Sequence, residues 1–290
     1  MLDSLFDAIE EWIREVLSGM ILENLSTMYT DVNEKTGAIA AEVGKTPSGW
    51  NGNIYSLIHN LSDSVMLPIA SMVITFVLCY ELITMLTEKN NMQDIDTWMF
   101  FKYIFKMAIA VFVVSHTFDI VMAIFDVGQH IVSSAASVIS GDTTINIMKM
   151  QNQMVEDLKT MEMGEMFSLA LETFLVSFCL KILSVLITVV LYVRMVEIYL
   201  YISVSPVTFA TFGNKEWGQI GQNYVRGLLA LAFQGFFIIV CVGIYAVLVS
   251  TIQISDDIHS ALFGVMAYTV VLAFSLLRTG NLAKSVFSAH

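Results

Sequence analysis

The chain has 290 residues, 56% of them hydrophobic and 14% charged, with a mean hydropathy of +0.72. Globular domains run at roughly 45–50% apolar and about 25% charged, so this composition excludes an ordinary soluble domain and predicts helices in lipid. Fourteen basic against 26 acidic residues give a net charge of −12. That balance excludes wholesale wrapping of nucleic acid, because no basic surface is left to neutralise phosphates. Cys79, Cys179 and Cys241 each stand inside an apolar run, where a free thiol packs as a small hydrophobe.

From Leu2 to Ile21 apolar residues recur at helical spacing, with Leu5, Phe6, Ile9, Trp12, Ile13, Val16, Leu17 and Met20 on one face and Asp7, Glu10, Glu11, Arg14 and Glu15 opposite. The pattern predicts an amphipathic helix. Its polar face is acidic, so it is not built to attract anionic lipid, and its apolar face is expected to pack on protein or to lie on the membrane surface. Asp3 and Asp7 stand where a secretory signal carries basic residues, and no cleaved signal is expected. Gly44-Lys45-Thr46 matches the end of a phosphate-binding loop, but the leading glycine would fall at Ile39 and no strand precedes it, so that reading fails.

A bilayer core about 30 Å thick takes roughly 20 apolar residues of helix. Runs of that kind occupy residues 64–86, 104–125, 227–251 and 258–277. The apolar stretch 167–212 is too long for one span and awkward as two, because Arg194 and Glu197 fall where the turn would have to be. With 167–193 as a crossing and 194–226 as a re-entrant or interfacial segment, five spans result. Lys89, Lys102, Lys106, Arg194, Lys215, Arg226, Arg278 and Lys284 then share one side, which the distribution of Lys and Arg makes cytoplasmic. The N-terminus is expected outside and the C-terminus inside. Outside lie the acidic segment 1–63 (amphipathic helix and linker), the loop 126–165 and the turn with Asp256 and Asp257. The fold class is thus an all-α integral membrane protein with a polytopic domain over 64–290. Within the external loop, helix is expected to run on through Ser133, Ser134, Ala135 and Ala136 and to break at Gly141-Asp142. A short Met-rich helix then follows, capped by Thr143 or Thr144 and carrying Met148, Met154, Leu158 and Met161.

Ionisable residues at membrane depth carry function by default. Glu81, Lys102 and Lys106 stand near span ends and read as snorkelling anchors. Lys181 lies deep in its span, and Glu172, nine residues earlier, is too far along the helix to be its direct partner. Lys181, Glu172, Arg194 and Glu197 are therefore the candidate pore or interface residues, although Arg194 and Glu197 also share a face and can pair locally. His116 with Asp119, and Asp126 with His130, share helical faces but lack the further ligands of a zinc site. A serine nucleophile elbow, a dinucleotide fingerprint and a kinase signature are all missing, so neither enzymatic activity nor a cofactor is expected. Gly227, Gly235 and Gly243 recur every eight residues, with Gln234 beside the middle one, and predict a span closely packed on other helices.

The stretch RMVEIYLYISVSPVTFATFGNKEWGQIGQNYVRGLLALAFQGFF, residues 194–237, resembles the central region of TrbL-like proteins, the polytopic inner-membrane subunits of conjugative type IV secretion systems. The opening MLDSLFDAIEEWIREVLSGMI and the segment EKNNMQDIDTWMFFKY are similar to members carried by integrative conjugative elements of Gram-positive anaerobes. The resemblance implies about five spans, an external N-terminus and a sizeable external loop in the bacterial cytoplasmic membrane. It also implies a channel role for single-stranded DNA with its relaxase. The resemblance further implies a homo-oligomer such as a pentamer, embedded in membrane lipid and working with a conjugation ATPase, a coupling protein and a bitopic scaffold subunit. Pro206 and Trp217 match the family's proline-containing turn and following tryptophan. Pro206 is expected to break the helix and Trp217, beside Lys215, to anchor at the interface.

Two other classes stay open. A small-solute secondary transporter usually shows internal repeats and paired broken helices, whereas this chain has one interrupted segment, near Ser203 to Pro206, and no counterpart. A structural scaffold without its own pore would leave Lys181, Glu172 and Arg194 facing protein instead of water. In the channel reading the acidic external segments disfavour tight contact with DNA there.

Overall fold

In the computed structural model, residues 2–87, 97–139, 155–214, 216–252 and 258–289 are described, with the side chains of 2–4, 29 and 33 outside that set. The expected break at Gly141-Asp142, the caps at Thr143 or Thr144, and Met148, Met154, Lys89, Lys215, Asp256 and Asp257 lie outside the described residues. Among those that are described, every regular element is helical: α1 (Leu2–Val43), α2 (Pro47–Trp50), α3 (Gly52–Leu61), a π-helical turn (Ser62–Met66), α4 (Leu67–Thr87), α5 (Thr97–Ser115) and α6 (Thr117–Ile139). Residues 155–160 form α7, followed by α8 (Met163–Ala210), a 3-10 turn (Thr211–Gly213), α9 (Gly218–Ser250) and α10 (Ile258–Val286).

Six helical segments are long and apolar enough to cross a bilayer: Gly52–Thr87, Thr97–Ser115, Thr117–Ile139, Met163–Gly213, Gly218–Ser250 and Ile258–Val286. Together with the absence of strands among the described residues, they make this an all-α integral membrane protein. Large apolar side chains such as Phe76, Phe105, Phe112, Phe178 and Phe274 point outward, as lipid solvation allows. The expected count of five spans is corrected to six such segments, because the expected span 104–125 straddles a break at His116 between two separate apolar helices. Helical bonding reaches His116 N from Phe112 O and leaves His116 O for Ile120 N, while the Thr117 hydroxyl donates to the carbonyls of Val113 (2.8 Å) and Val114 (2.9 Å). A side chain inserted into the backbone ladder is a recognised cause of a helix break. Helix does run on through Ser133 to Ala136, ending at Ile139.

Two further expectations are corrected. The segment after the amphipathic helix is not a linker but a continuation of α1 to Val43, because Ile21, Leu25, Met28, Val32, Lys35 and Ile39 recur at alternating four- and three-residue spacing and are buried. Nor does the chain turn at Pro206 into a re-entrant segment. Pro206 lies inside α8, which runs unbroken past Arg194 to Ala210, and the break comes only at residues 211–217. Thr46, the last residue of the failed phosphate-loop match, is the N-cap of α2, its hydroxyl accepting from Gly49 N at 3.1 Å.

The described chain divides into two compact units. The first takes residues 1–43, 134–191 and 238–278, hence α1, the first part of α8, the end of α9 and most of α10. Its core includes Met166, Leu169, Val176, Leu180, Leu262 and Val265, and Tyr245 shares a hydrogen bond of 3.0 Å with Thr269. The second takes 44–133, 192–237 and 279–290. It packs Ile74 and Leu78 of α4, Phe118 and Phe125 of α6, Ile198 and Ile202 of α8, and Leu228 and Leu231 of α9 into one cluster.

Candidate functional site

In the second unit the turn between α8 and α9 is held by a polar latch. Glu81 on α4 accepts from Lys106 Nζ of α5 at 2.6 Å through Oε1 and from Asn214 Nδ2 at 2.7 Å through Oε2. Asn214, only 4% exposed, accepts through Oδ1 from the backbone N–H of Glu216 (2.7 Å) and of Trp217 (3.3 Å). Tyr80 donates to Glu216 Oε2 at 3.0 Å, and Tyr103 of α5 donates to Leu78 O at 2.8 Å. Gly213 lets the turn approach α4 closely, since a Cβ there would stand 3.1 Å from Val77 Cγ1. Trp217, half-exposed, meets Phe76 edge-on with ring centroids 6.2 Å apart. One carboxylate thus satisfies a cation and an amide together, an arrangement that fixes a turn and contains no nucleophile or free base. Glu81 and Lys106, read as separate anchors, are partners in it.

The candidate residues do not converge on one site. In the first unit Glu172 of α8 pairs with Nδ1 of His259 on α10, while Lys181 is exposed on the outer face of α8. In the second unit Glu197 accepts from Lys284 Nζ at 2.7 Å and not from Arg194, its expected local partner. Arg194 is 6% exposed and its Nε has no hydrogen-bond partner, so it is a buried group and not a lining one. Gln234 is buried and donates to Thr279 Oγ1 at 3.4 Å, beside Gly280.

Close packing occurs where the glycines predict it. A Cβ on Gly227 would stand 2.9 Å from the Tyr201 ring and one on Gly243 2.8 Å from Ile139 Cδ1, and Gly235 is buried. A close helix–helix approach was not read from the sequence: Gly128 of α6 faces Ala232 of α9, whose Cβ and carbonyl oxygen would both lie 3.1 Å from a Cβ at 128. A cavity of about 400 Å³ beside that contact is lined by apolar residues alone, among them Ile120, Ile124 and Phe233, and offers no polar group to orient a ligand. Among the described residues no three His, Cys, Asp or Glu side chains converge as a metal would require.

Fold and latch together define a multi-pass α-helical membrane protein whose described polar contacts are structural in kind: helix packing, paired charges and a clamped turn. The family profile described as TrbL/VirB6 plasmid conjugal transfer like protein matches residues 32–206, more than half of the chain, and the chain belongs to that family. Membership makes it a membrane subunit of a conjugal transfer complex that works with other subunits. A comparison with curated proteins returns no match, and neither does one with solved structures.

Proposed function

We propose that the chain is a channel or platform subunit of a conjugative type IV secretion system and forms part of the path by which single-stranded DNA and its relaxase leave the cell. The observation that carries this reading is the family match over 32–206 laid on a chain with six segments apolar enough to span a bilayer. The subunit is a homo-oligomer, and a conjugation ATPase, a coupling protein and a bitopic scaffold subunit complete the machine. It has no catalytic activity or cofactor of its own, and energy comes from the partner ATPases. Cross-linking during mating, followed by recovery of the chain and detection of bound DNA, tests the path directly. Cargo DNA recovered with the chain supports the reading, and its absence while DNA is recovered with the ATPase contradicts it.

A second reading, a membrane scaffold with no pore, gains weight from two placements. Glu172 is paired with His259 and Arg194 is buried, which leaves Lys181 as the exposed member of that trio. If the native oligomer recovered from detergent lacks a central opening, the scaffold reading replaces the channel.

A further inference from the structure

Within the first unit α1 runs parallel to α8. Arg14 Nη1 donates to Met161 O at 2.9 Å, Ser177 Oγ to Asn24 O at 3.4 Å, and Lys35 Nζ to Leu180 O at 3.4 Å, so both chains advance together. The α8 residues along this track belong to the apolar segment Met163–Gly213, and their outward neighbours Leu171, Phe174, Phe178 and Val185 are large, apolar and at least half exposed. That face suits lipid. Residues 21–43 of α1 differ: their apolar stripe, Ile21, Leu25, Met28, Val32 and Ile39, is buried, and no large apolar side chain described in this stretch is exposed. Outward stand Glu23 and Glu34, with Thr27 and Asp31 between them and only partly covered.

Charged side chains at membrane depth are costly unless they face protein or a water-filled cavity. Helix α1 keeps pace with a membrane span on one side and presents carboxylates on the other. We infer that residues 21–43 of α1 lie at membrane depth beside α8 and form a water-facing wall, with Glu23, Thr27, Asp31 and Glu34 lining an aqueous surface. The lining is acidic, so it holds water and cations in preference to nucleic acid. This inference rests on α8 crossing the bilayer and needs no part of the conjugation reading.

Thiol accessibility tests it in the full chain, in its native membrane, after Cys79, Cys179 and Cys241 are replaced by alanine. Thr27→Cys and Glu34→Cys probe the wall, and Leu171→Cys and Val185→Cys probe the apolar face of α8. Each is treated with charged, membrane-impermeant thiol reagents and relabelled after denaturation to confirm that the thiol is present. Reaction at 27 and 34, faster with the cationic reagent than with the anionic one, and silence at 171 and 185 are expected. Silence at 27 and 34 would overturn the inference by showing that wall covered, and equal reaction at all four would overturn it by placing the unit outside the bilayer. Because no transfer is measured, either failure is separate from loss of the conjugation reading.

Discussion

The Ser205 hydroxyl donates to the Ile202 carbonyl at 2.8 Å, and that carbonyl is the one Pro206, lacking an N–H, cannot bond. Ser205 is fully buried, so no water can take its place. A membrane helix tolerates proline when a neighbouring hydroxyl covers the freed carbonyl, and this pairing explains why α8 continues to Ala210.

Ser205→Ala should therefore lower stability by about 1–2 kcal/mol, the usual loss when a buried acceptor goes unpaired. In a Pro206→Ala background the backbone N–H returns and the same change should cost little. Thermal midpoints of the four proteins in detergent complete the cycle. Equal losses in both backgrounds would remove the link between the two residues.

The latch predicts that Asn214→Ala destabilises by about 1–3 kcal/mol, because three hydrogen bonds go and Glu81 loses its amide partner. Limited proteolysis should then cut between α8 and α9 in the variant first. An unchanged cleavage map would show that the turn is held by packing alone.

Gly128→Ala should cost about 1–3 kcal/mol, whereas Gly243→Ala should cost less, although the nearest atom to 243 is closer. At 128 the new methyl meets Ala232 Cβ and backbone oxygen, which yield only if a helix moves. At 243 it meets the flexible end of Ile139. Detergent melting of the two variants decides, and the reverse order would contradict this account.

Lys35 is 8% exposed, and its ammonium donates to the Leu180 carbonyl at 3.4 Å. Burying a cation costs more than burying an apolar side chain of similar length. Lys35→Met should therefore raise the melting midpoint in detergent. A midpoint that falls would refute the burial argument.

The apolar runs were legible because lipid demands long runs, which composition displays directly, but 104–125 was read as one span where the structure has two apolar helices, Thr97–Ser115 and Thr117–Ile139. The second half of α1 was hidden because Thr27, Asp31, Glu34 and Gly37 mask a seam whose apolar members occupy every third or fourth position. Pro206 was read as a break because its own donor is missing, while the repair comes from Ser205, a residue that gives no signal by itself. Glu81, Lys106 and Asn214 are scattered over more than 130 residues, and only packing brings them together. The exposed apolar face of α1, from Leu5 through Trp12 to Met20, was legible as a pattern, and the described residues leave it uncovered.

Deletion of the chain from a mating-competent donor, followed by complementation in trans, tests the central claim most directly. Transfer should fall to background while conjugation proteins and relaxase nicking persist, and the intact chain should restore it. Transfer that continues at parental frequency in the deleted donor would contradict the assignment of this protein to the conjugation machine.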